Sequence, residues 1–299
     1  MTGVTVIAVT HNSADVLPDF LRGLKDAATA PIRLVVVDNR STDDSLAVLA
    51  DQAPEATVIR STENAGFAAG INRAIDTVEP TGPVLVLNPD VRLHAGAIDA
   101  LLAAADQPGV GIVVPQLRDA DGTLLFSLRR EPHPVRVLGE AVLGGVRAGR
   151  LGLGELVSSP ASYQRARSAD WATGACMLIT ADCRRRVGRW DESFFLYSEE
   201  TDYALRTRDA GLSVRYQPTA LATHRGGEAH TSTALFTLLV LNRWRLYRRR
   251  HGPRAGALFR AALVVDMLPR ALAGRQTARA ALAGLLSPHT DPDAGRLSG

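Results

Sequence analysis

Short apolar runs, each followed by a segment of helical character, recur through the first 115 residues. The most informative run is 84–87, in which all four residues are apolar, as is typical of a strand buried on both faces of a sheet. Alternating strands and helices with short loops predict an α/β fold with a doubly wound, mostly parallel sheet and helices on both faces. The predicted strands are 4–9, 32–37, 57–60, 84–87 and 109–115, and the predicted helices are 15–28, 43–52, 64–76 and 95–105.

Polar side chains follow the end of each of the first four predicted strands. Because ligands bind outside the carboxyl ends of parallel strands, we expect these side chains to share one rim of the sheet. They are Thr10 and Asn12 after the first strand, Asp38 after the second, Asn64 and Asn72 after the third, and Asp90 after the fourth.

The residues that end the fourth strand, Asn88-Pro89-Asp90, suit a metal site. Pro89 removes a backbone donor and stiffens the turn. A hard cation such as Mg²⁺ or Mn²⁺ binds one or two carboxylates together with phosphate oxygens, so Asp90 is a candidate ligand for a metal–diphosphate. The alternative is that these three residues form only a turn.

Three further residues near the strand ends each have two interpretations. Asp38 is suited to accept the imide N–H of a uracil or thymine ring, or else to cap a helix, while Ser41 is predicted to cap the helix 43–52. Gly66 and Gly70 allow the backbone to approach a ligand closely, or else they serve a turn and helix packing.

A second cluster of acids, Glu199, Glu200 and Asp202, opens a predicted helix directly after the apolar stretch 194–197. A carboxylate beside apolar walls has a raised pKa and suits general-base catalysis. The alternative is a solvated acidic face at the favourable end of the helix dipole. His224 ends another predicted strand, where it is either structural or a metal ligand.

The residues after the first strand disfavour several common nucleotide-binding classes. A dinucleotide site needs Gly-x-Gly-x-x-Gly there, whereas this chain has Thr-His-Asn-Ser at 10–13, and no Gly-Lys-Ser/Thr phosphate loop occurs. A nucleotidyltransferase that makes activated sugars needs a Gly-rich loop with Arg and Lys at this position, which is also missing. A hydride-transfer enzyme, a P-loop NTPase and a nucleotidyltransferase are therefore disfavoured.

Charge and composition suggest a cytoplasmic protein with a basic appendage. Residues 240–299 hold 11 Arg and 3 Asp, whereas residues 1–239 hold 23 basic and 28 acidic residues. We expect no signal peptide and no transmembrane helix, and the two cysteines suit a reducing compartment. A nucleic-acid partner is not expected, because the arginines concentrate on one appended segment.

Two segments differ in character from the predicted sheet. Residues 118–168 are rich in Gly and Arg and predict a long loop or partly ordered lid with a helix near 134–143. Residues 229–286 predict a helical region in which Phe236, Val240, Trp244 and Tyr247 share one face beside several arginines. That region is predicted either to contact an anionic membrane through 236–270 or to pack on the catalytic domain or a homodimer partner. Residues 287–299 are expected to be disordered.

In their order and spacing these motifs resemble the inverting family 2 glycosyltransferases of the GT-A fold, especially their rhamnosyltransferase-like branch. The resemblance spans nearly the whole chain. The motifs that carry it are 9–12 (VTHN), 36–43 (VVDNRSTD), 64–67 (NAGF), 70–72 (GIN), 87–90 (LNPD), 171–174 (WATG), 199–202 (EETD), 224–227 (HRGG) and 242–247 (NRWRLY).

The resemblance implies a GT-A catalytic domain over 1–228, a helical appendage over 229–286 and a role for each matching residue. Asp90 and His224 would bind a divalent metal, Mg²⁺ or Mn²⁺, and Glu200 would be the general base, with Glu199 second and Asp202 in support. The implied nucleotide-sugar site, in which Asp38 would bind the base, comprises Thr10, Asn12, Asp38, Asn39, Asn64, Gly66, Phe67, Gly70, Asn72, Asn88, Trp171 and Gly174.

The implied reaction moves a sugar, rhamnose-like, from a dTDP or UDP donor to a glycan or lipid-linked acceptor at the inner face of the plasma membrane, in cell-envelope polysaccharide synthesis. Residues 118–168 would fold over the acceptor. Two positions depart from the family pattern: Asn88 replaces the first acid of an Asp-x-Asp metal motif, and Glu200 replaces the Asp of a Glu-Asp pair. These departures keep open the alternative of a non-catalytic sugar-nucleotide-binding protein.

Overall fold

A computed structural model describes residues 3–226 and 232–287. The predicted domain boundary at 228 and nearly all of the tail predicted to be disordered, from 288 onward, lie outside the described residues. The strands are β1 (Val4–Thr10), β2 (Ile32–Asp38), β3 (Thr57–Arg60), β4 (Val84–Leu87), β5 (Val91–Leu93), β6 (Val110–Arg118), β7 (Leu124–Leu125), β8 (Leu128–Arg129), β9 (Arg167–Ala169), β10 (Trp171–Ala172), β11 (Cys176–Ile179) and β12 (Ser213–His224).

Helices cover both faces of the sheet and form the C-terminal region. They are α1 (Leu17–Lys25), α2 (Ser45–Gln52), α3 (Phe67–Val78), α4 (Ala97–Ala105), α5 (Pro134–Leu143), α6 (Gly145–Arg150), α7 (Ala181–Val187), α8 (Glu199–Asp209), α9 (Thr233–Leu272) and α10 (Gln276–Leu286). A 3₁₀ turn spans Pro160–Tyr163.

The main sheet confirms the predicted α/β class. Its order is β3-β2-β1-β4-β11-β6-β12-β5, with parallel pairing of β3, β2, β1 and β4. Antiparallel strands also enter the sheet: β11 runs antiparallel between β4 and β6, and β5, β7 and β9 pair antiparallel with β12 or β6. The sequence predicts strand character over the whole stretch 171–179. The structure divides this stretch, because β10 pairs with β8 in a separate small sheet.

The continuous burial of β4 explains why its sequence is apolar throughout. Leu85 and Leu87 face a core shared with α1, α2 and α4, while Val84 and Val86 face a second core shared with α3, α7 and α8. Full burial of such a side chain contributes roughly 1.5–3 kcal/mol of transfer free energy. Both faces therefore hold the strand in one register, and its carboxyl end is fixed at the rim.

The segment 118–168 is more ordered than its composition suggests. The predicted helix at 134–143 is confirmed as α5, but the glycine-rich stretch after it is a packed unit, with Ala148 and Gly149 buried. A Cβ on Gly149 would lie 2.5 Å from the Leu156 carbonyl oxygen and the Ser158 hydroxyl. The glycine allows this close approach, which composition alone did not indicate.

The C-terminal region is a helical hairpin with its own core. Gly252, at φ +84°, breaks α9 into two halves, and α10 packs back against them. Val240, Trp244 and Tyr247 lie in this core, so the apolar face predicted to reach a membrane is used internally, and the packing alternative accounts for it. Within 3–226 and 232–287, no helix is long and apolar enough to cross a bilayer.

Candidate active site

Asp38 lies at the carboxyl end of β2, directly beside the end of β1. It is 2% exposed and accepts hydrogen bonds from the Thr10 hydroxyl at 3.2 Å, from the Ser41 hydroxyl and from the Ser41 backbone N–H at 3.0 Å. The predicted cap by Ser41 on helix 43–52 is wrong: α2 begins at Ser45, after an Asp43 carboxylate that accepts the Ser45 N–H and O–H. Asp38 therefore orders the turn after β2, not a helix.

The next loop joins this turn to the acidic helix. Asn39 donates its side-chain amide to the Gly66 carbonyl at 2.9 Å, and its buried side-chain oxygen has no partner within the described protein. Gly66 adopts φ +93°, and a Cβ there would lie 2.2 Å from the Phe195 carbonyl oxygen. Phe67 donates its backbone N–H to that same oxygen at 3.0 Å. Gly66 is thus required for packing against the chain that leads into α8.

Four residues predicted to bind the nucleotide-sugar make hydrogen bonds or packing contacts within the protein. Asn72 is bonded to the backbone of Trp190 and to the Glu192 carboxylate, which fixes α3 to a distant loop. The other three are Asn12, which accepts from Thr42, Asn64, which accepts from the Gly66 N–H, and Gly70, which packs on Val9. Asn72 and Gly70 therefore help to pack the fold, and their predicted contacts to the nucleotide-sugar stay predictions.

Asp90 and His224 are brought together by strand pairing. β12 pairs antiparallel with β5, which places His224 opposite Val91, and His224 Nε2 lies 3.2 Å from Asp90 Oδ2. The Gly226 N–H donates to the same carboxylate at 3.1 Å. Burial raises the pKa of Asp90, but the hydrogen bonds and the charge of His224 outweigh it, so this pKa is lowered overall.

The donor set at this pair suits a divalent cation that also binds phosphate. One carboxylate and one imidazole are suitable ligands for Mn²⁺ or Mg²⁺, and such cations complete their coordination with substrate phosphates and water. No group of three or more His, Cys, Asp or Glu side chains suited to a metal occurs in 3–226 or 232–287. The pair therefore fits a site shared with a bound diphosphate, not a closed structural metal site.

Glu199 and Glu200 begin α8 after a turn of unusual backbone geometry. Tyr197 and Ser198 both adopt positive φ angles, +67° and +76°, which are uncommon for residues other than glycine. Glu199 is 3% exposed, Glu200 is partly exposed, and one oxygen of each carboxyl group has no partner within the described protein. The turn thus delivers two neighbouring carboxyl groups into a poorly solvated place.

This placement raises the pKa of both groups. For Glu199, burial is the main cause and the charge of Glu200 adds to it, so its pKa lies well above the usual value. For Glu200, burial again raises the pKa, while backbone hydrogen bonds and the Arg129 guanidinium oppose the rise. Both carboxyl groups therefore keep a proton to higher pH than an exposed glutamate does, while the Arg129 guanidinium favours the charged form of Glu200.

Two small elements pack against Glu200. A Cβ on Gly174 would lie 3.0 Å from Glu200 Cβ, so the glycine fits closely against this side chain. Trp171 donates its indole N–H to the Arg130 carbonyl and lies under the Arg129 guanidinium. Arg129, which the sequence did not single out, is the cation whose charge lowers the pKa of Glu200. Its position follows from the pairing of β8 with β10, for which the two-residue strands gave no signal.

Asp202 forms an ion pair within α8. Its carboxylate accepts from Arg206 Nε at 2.7 Å, one helical turn further along α8. Burial raises the pKa of Asp202, and Arg206 opposes this rise. Asp202 thus fixes Arg206, which also donates to the Val187 carbonyl, and its predicted support of Glu200 stays a prediction.

A chain of contacts joins the strand ends along one rim. β1 pairs with both β2 and β4, so the ends that carry Thr10, Asp38 and Asn88 are neighbours. Asn88 donates its N–H to the Ala175 carbonyl, next to Gly174 and hence to Glu200. The described contacts therefore link Asp38, Asn88 and Glu200 along the carboxyl edge of the sheet, and Asp90 lies two residues beyond Asn88. That Asp38, Asp90, His224 and Glu200 form one site stays a prediction.

Comparison with known sequences identifies the family. Residues 5–156 match the profile of Glycosyl transferase family 2. The chain is 32% identical over 248 residues to the N-acetylglucosaminyl-diphospho-decaprenol L-rhamnosyltransferase of Mycobacterium tuberculosis, covering 76% of each protein. It is 26% identical to the rhamnosyltransferase WbbL of Escherichia coli K12, over 74% of this chain and 83% of that one.

A solved structure gives the same result for the fold. The mannosyltransferase PcManGT from Pyrobaculum calidifontis, in complex with GDP-Man and Mn²⁺, aligns over 97% of this chain and 77% of its own with a TM-score of 0.59 and 19% identity. This likeness concerns the GT-A architecture of sheet and flanking helices. With the profile match and the relative at 32% identity, the chain belongs to glycosyl transferase family 2 and is rhamnosyltransferase-like.

Proposed function

We propose that this protein transfers a rhamnose-like sugar, with inversion, from a dTDP- or UDP-sugar to a polyprenyl-diphosphate-linked glycan of the cell envelope. The observation that carries the proposal is the Glu199–Glu200 pair, two carboxyl groups of unequal burial at the rim where β1, β2 and β4 end. The rhamnosyltransferase relatives support the sugar, and the decaprenol-linked substrate in the name of the Mycobacterium tuberculosis enzyme supports the acceptor.

In this proposal Glu200 is the general base. The Glu200 carboxylate takes the proton of an acceptor hydroxyl while that oxygen forms a bond to the anomeric carbon and the bond to the diphosphate breaks. A single displacement by one base inverts the anomeric configuration. Glu199, whose pKa is raised well above its usual value by burial and by the charge of Glu200, would stay protonated and so add no second negative charge beside the base.

Asp90 and His224 would hold the divalent metal, and Asp38 would bind the uracil or thymine ring. The bound metal would neutralise charge on the departing nucleoside diphosphate. Asn39 supports the base site, because its unpartnered buried oxygen lies in the turn that Asp38 orders. The loop around Gly66, which contacts Phe195, and the loop around Gly174, which contacts Glu200 of α8, would then close the donor site.

The surface around the tail supports a membrane-bound acceptor. All eleven large apolar side chains counted as exposed in the described chain lie within 135–153 and 258–286. The same segments present the exposed arginines Arg147, Arg150, Arg275 and Arg279, while their two acids, Glu140 and Asp266, are not exposed. An apolar and basic surface of this kind suits the interface of an anionic bilayer. We propose that residues 135–153 and 258–286 form the membrane-facing surface.

A donor screen with product analysis tests the proposed activity. dTDP- and UDP-sugars are added with and without Mn²⁺, and thermal stability is recorded, since a ligand that binds the folded state raises Tm. We expect dTDP-rhamnose with Mn²⁺ to raise Tm and to support transfer to a decaprenyl-diphosphate-linked N-acetylglucosamine with inverted configuration. Asp90→Ala should abolish the Mn²⁺-dependent increase, whereas the exposed Asp51→Ala should retain it.

Three outcomes would contradict the proposal in different ways. Retention of configuration would exclude a single displacement by Glu200. Donor binding with no turnover by the wild type under any condition would favour a non-catalytic sugar-nucleotide-binding protein. Formation of a nucleoside-diphosphate sugar from a sugar phosphate and a nucleoside triphosphate would favour a nucleotidyltransferase.

A further inference from the structure

The turn before α8 is held in a conformation that its own residues do not favour. Tyr197 and Ser198 both lie in the left-handed region, and neither is Gly or Asn. Residues in this region persist only where the surrounding structure imposes it, and such sites cluster where function needs a fixed geometry. Because Ser198 is the N-cap of α8, the direction in which Glu199 and Glu200 enter the rim depends on this turn.

The tail helix α9 supplies the contacts that hold the turn from one side. Asn242 is 2% exposed, and its side-chain amide donates to the Leu196 carbonyl at 2.9 Å and to the Tyr197 carbonyl at 3.2 Å. Both N–H groups of this one amide are therefore directed at consecutive carbonyls of the strained turn. A buried amide in this position fixes the backbone more firmly than packing alone, because an unpaired carbonyl would be costly.

One helical turn further along α9, Arg245 holds the chain just before the turn. It is 2% exposed, donates to the Ser193 carbonyl at 2.6 Å and lies over the Phe194 ring at 5.0 Å. From the opposite side, the Phe195 carbonyl accepts the N–H of Phe67. The segment 193–198 is thus held between α9 and the start of α3, and neither contact involves the acids themselves.

We infer that Asn242 and Arg245 are positioning residues, through which the tail helix fixes the turn that presents Glu199 and Glu200 to the substrate. The inference rests on the proposed function for its catalytic consequence. The C-terminal region then helps to position the catalytic carboxyl groups, in addition to any contact that it makes with the membrane that holds the acceptor. Donor binding should depend on it little, since Asp38, Asp90 and His224 lie on other elements.

Asn242→Asp tests this inference, because it keeps the shape of the side chain but removes both amide donors. We expect kcat to fall about 10- to 100-fold, as for a small misplacement of a catalytic group, with the donor KM within about threefold of wild type. Hydrogen exchange by mass spectrometry should show faster exchange in the peptide that covers 193–198. Arg245→Lys, which shortens the reach to Ser193, should give a smaller change of the same kind.

Trp244→Phe is the matched control. It also removes one buried side-chain donor from α9, the indole N–H that bonds the Gly256 carbonyl within the hairpin. We expect it to lower Tm without changing kcat by more than about twofold and without faster exchange at 193–198, because that hydrogen bond holds the hairpin and not the turn.

The outcomes separate this inference from the proposed function. If Asn242→Asp and Arg245→Lys leave both kcat and exchange at 193–198 at the level of the control, the inference is overturned while the enzyme remains. If the wild type transfers no sugar, the proposed function fails, and the exchange measurement alone decides whether α9 holds the turn. If Asn242→Asp does not fold, Arg245→Lys and its exchange pattern decide the question.

Discussion

At the scale of single residues, the account depends on unequal environments for two adjacent carboxyl groups. Glu199 is almost fully buried beside Glu200. Glu200 is less buried, and the charge of Arg129 opposes the rise of its pKa. Groups with raised pKa values in a cleft are candidates for acid–base catalysis. The apolar stretch before the acids predicted the raised pKa, but the sequence did not distinguish the two glutamates by burial.

The pH dependence of stability should report the buried Glu199. Its pKa in the folded protein is raised, so the folded state binds more protons than the unfolded state between the ordinary glutamate pKa of 4.5 and the folded pKa. The free energy of unfolding therefore falls as pH rises through that window. Glu199→Gln removes this loss, and we expect its Tm gain over wild type to be larger at pH 8 than at pH 5.

The size of this difference is measurable by thermal denaturation. Each kcal/mol shifts Tm by roughly 2–4 °C in domains somewhat smaller than this one. The exposed Glu55→Gln is the control and should show no such dependence on pH. A Tm difference for Glu199→Gln that is equal at both pH values, or larger at pH 5, would contradict the proposed burial cost.

At the scale of elements, sequence patterns predicted what depends on local burial and missed what depends on distant pairing. The bounds of β3, β4 and α5 follow from runs that are apolar or helical in themselves. In contrast, β11 enters the sheet antiparallel, and Asn72 bonds a loop 118 residues away. Neither can be read from periodicity, because both depend on which segments meet after the chain has folded.

Gly174 is another residue whose contact could not be predicted from the sequence, and it offers a test. The motif predicted that Gly174 belongs to the nucleotide-sugar site, and the structure adds that it contacts Glu200. Gly174→Ala places a methyl group 3.0 Å from Glu200 Cβ, so Glu200 must move by a few tenths of an ångström. We expect kcat to fall roughly tenfold, since catalytic geometry tolerates little displacement.

Gly145→Ala is the control for this substitution, because nothing lies within 4 Å of the added Cβ. It should leave kcat near the wild-type value in the same transfer assay. A Gly174→Ala enzyme as active as this control would show that the contact with Glu200 does not matter for the reaction.

At the scale of the whole molecule, the tail has one apolar side that is buried and one that is exposed. The side that carries Trp244 and Tyr247 is buried in the hairpin core, whereas the second half of α9 leaves Leu258, Val265 and Leu272 exposed at seven-residue spacing. The sequence predicted a basic amphipathic tail correctly in kind. It left open whether the face with Trp244 and Tyr247 contacts a membrane or packs on the protein, and the structure shows packing, because the break at Gly252 folds the helix back on itself.

Vesicle sedimentation tests the membrane-facing surface. We expect the wild type to bind vesicles containing phosphatidylglycerol and to bind phosphatidylcholine vesicles weakly, because the exposed arginines add electrostatic attraction. The triple variant Leu258→Glu, Val265→Glu, Leu272→Glu should lose at least about tenfold in binding to the anionic vesicles.

The control adds three negative charges elsewhere, at the exposed positions Gln52, Ala103 and Gln107, each changed to Glu. It should bind anionic vesicles nearly as well as wild type. Equal binding by both triple variants would contradict the assigned surface. A wild type that ignores both vesicles but forms a dimer by light scattering, which the first triple variant abolishes, would identify a second copy as the partner.

The most direct measurement is the transfer rate of Glu200→Gln, compared with Glu55→Gln and wild type at saturating donor and acceptor. Glutamine keeps the shape of the side chain but cannot take the proton of the acceptor hydroxyl. We predict a fall in kcat of about 10²- to 10⁴-fold for Glu200→Gln with an unchanged donor KM, and no change for Glu55→Gln. A Glu200→Gln enzyme within about threefold of wild type would contradict the assignment of the base.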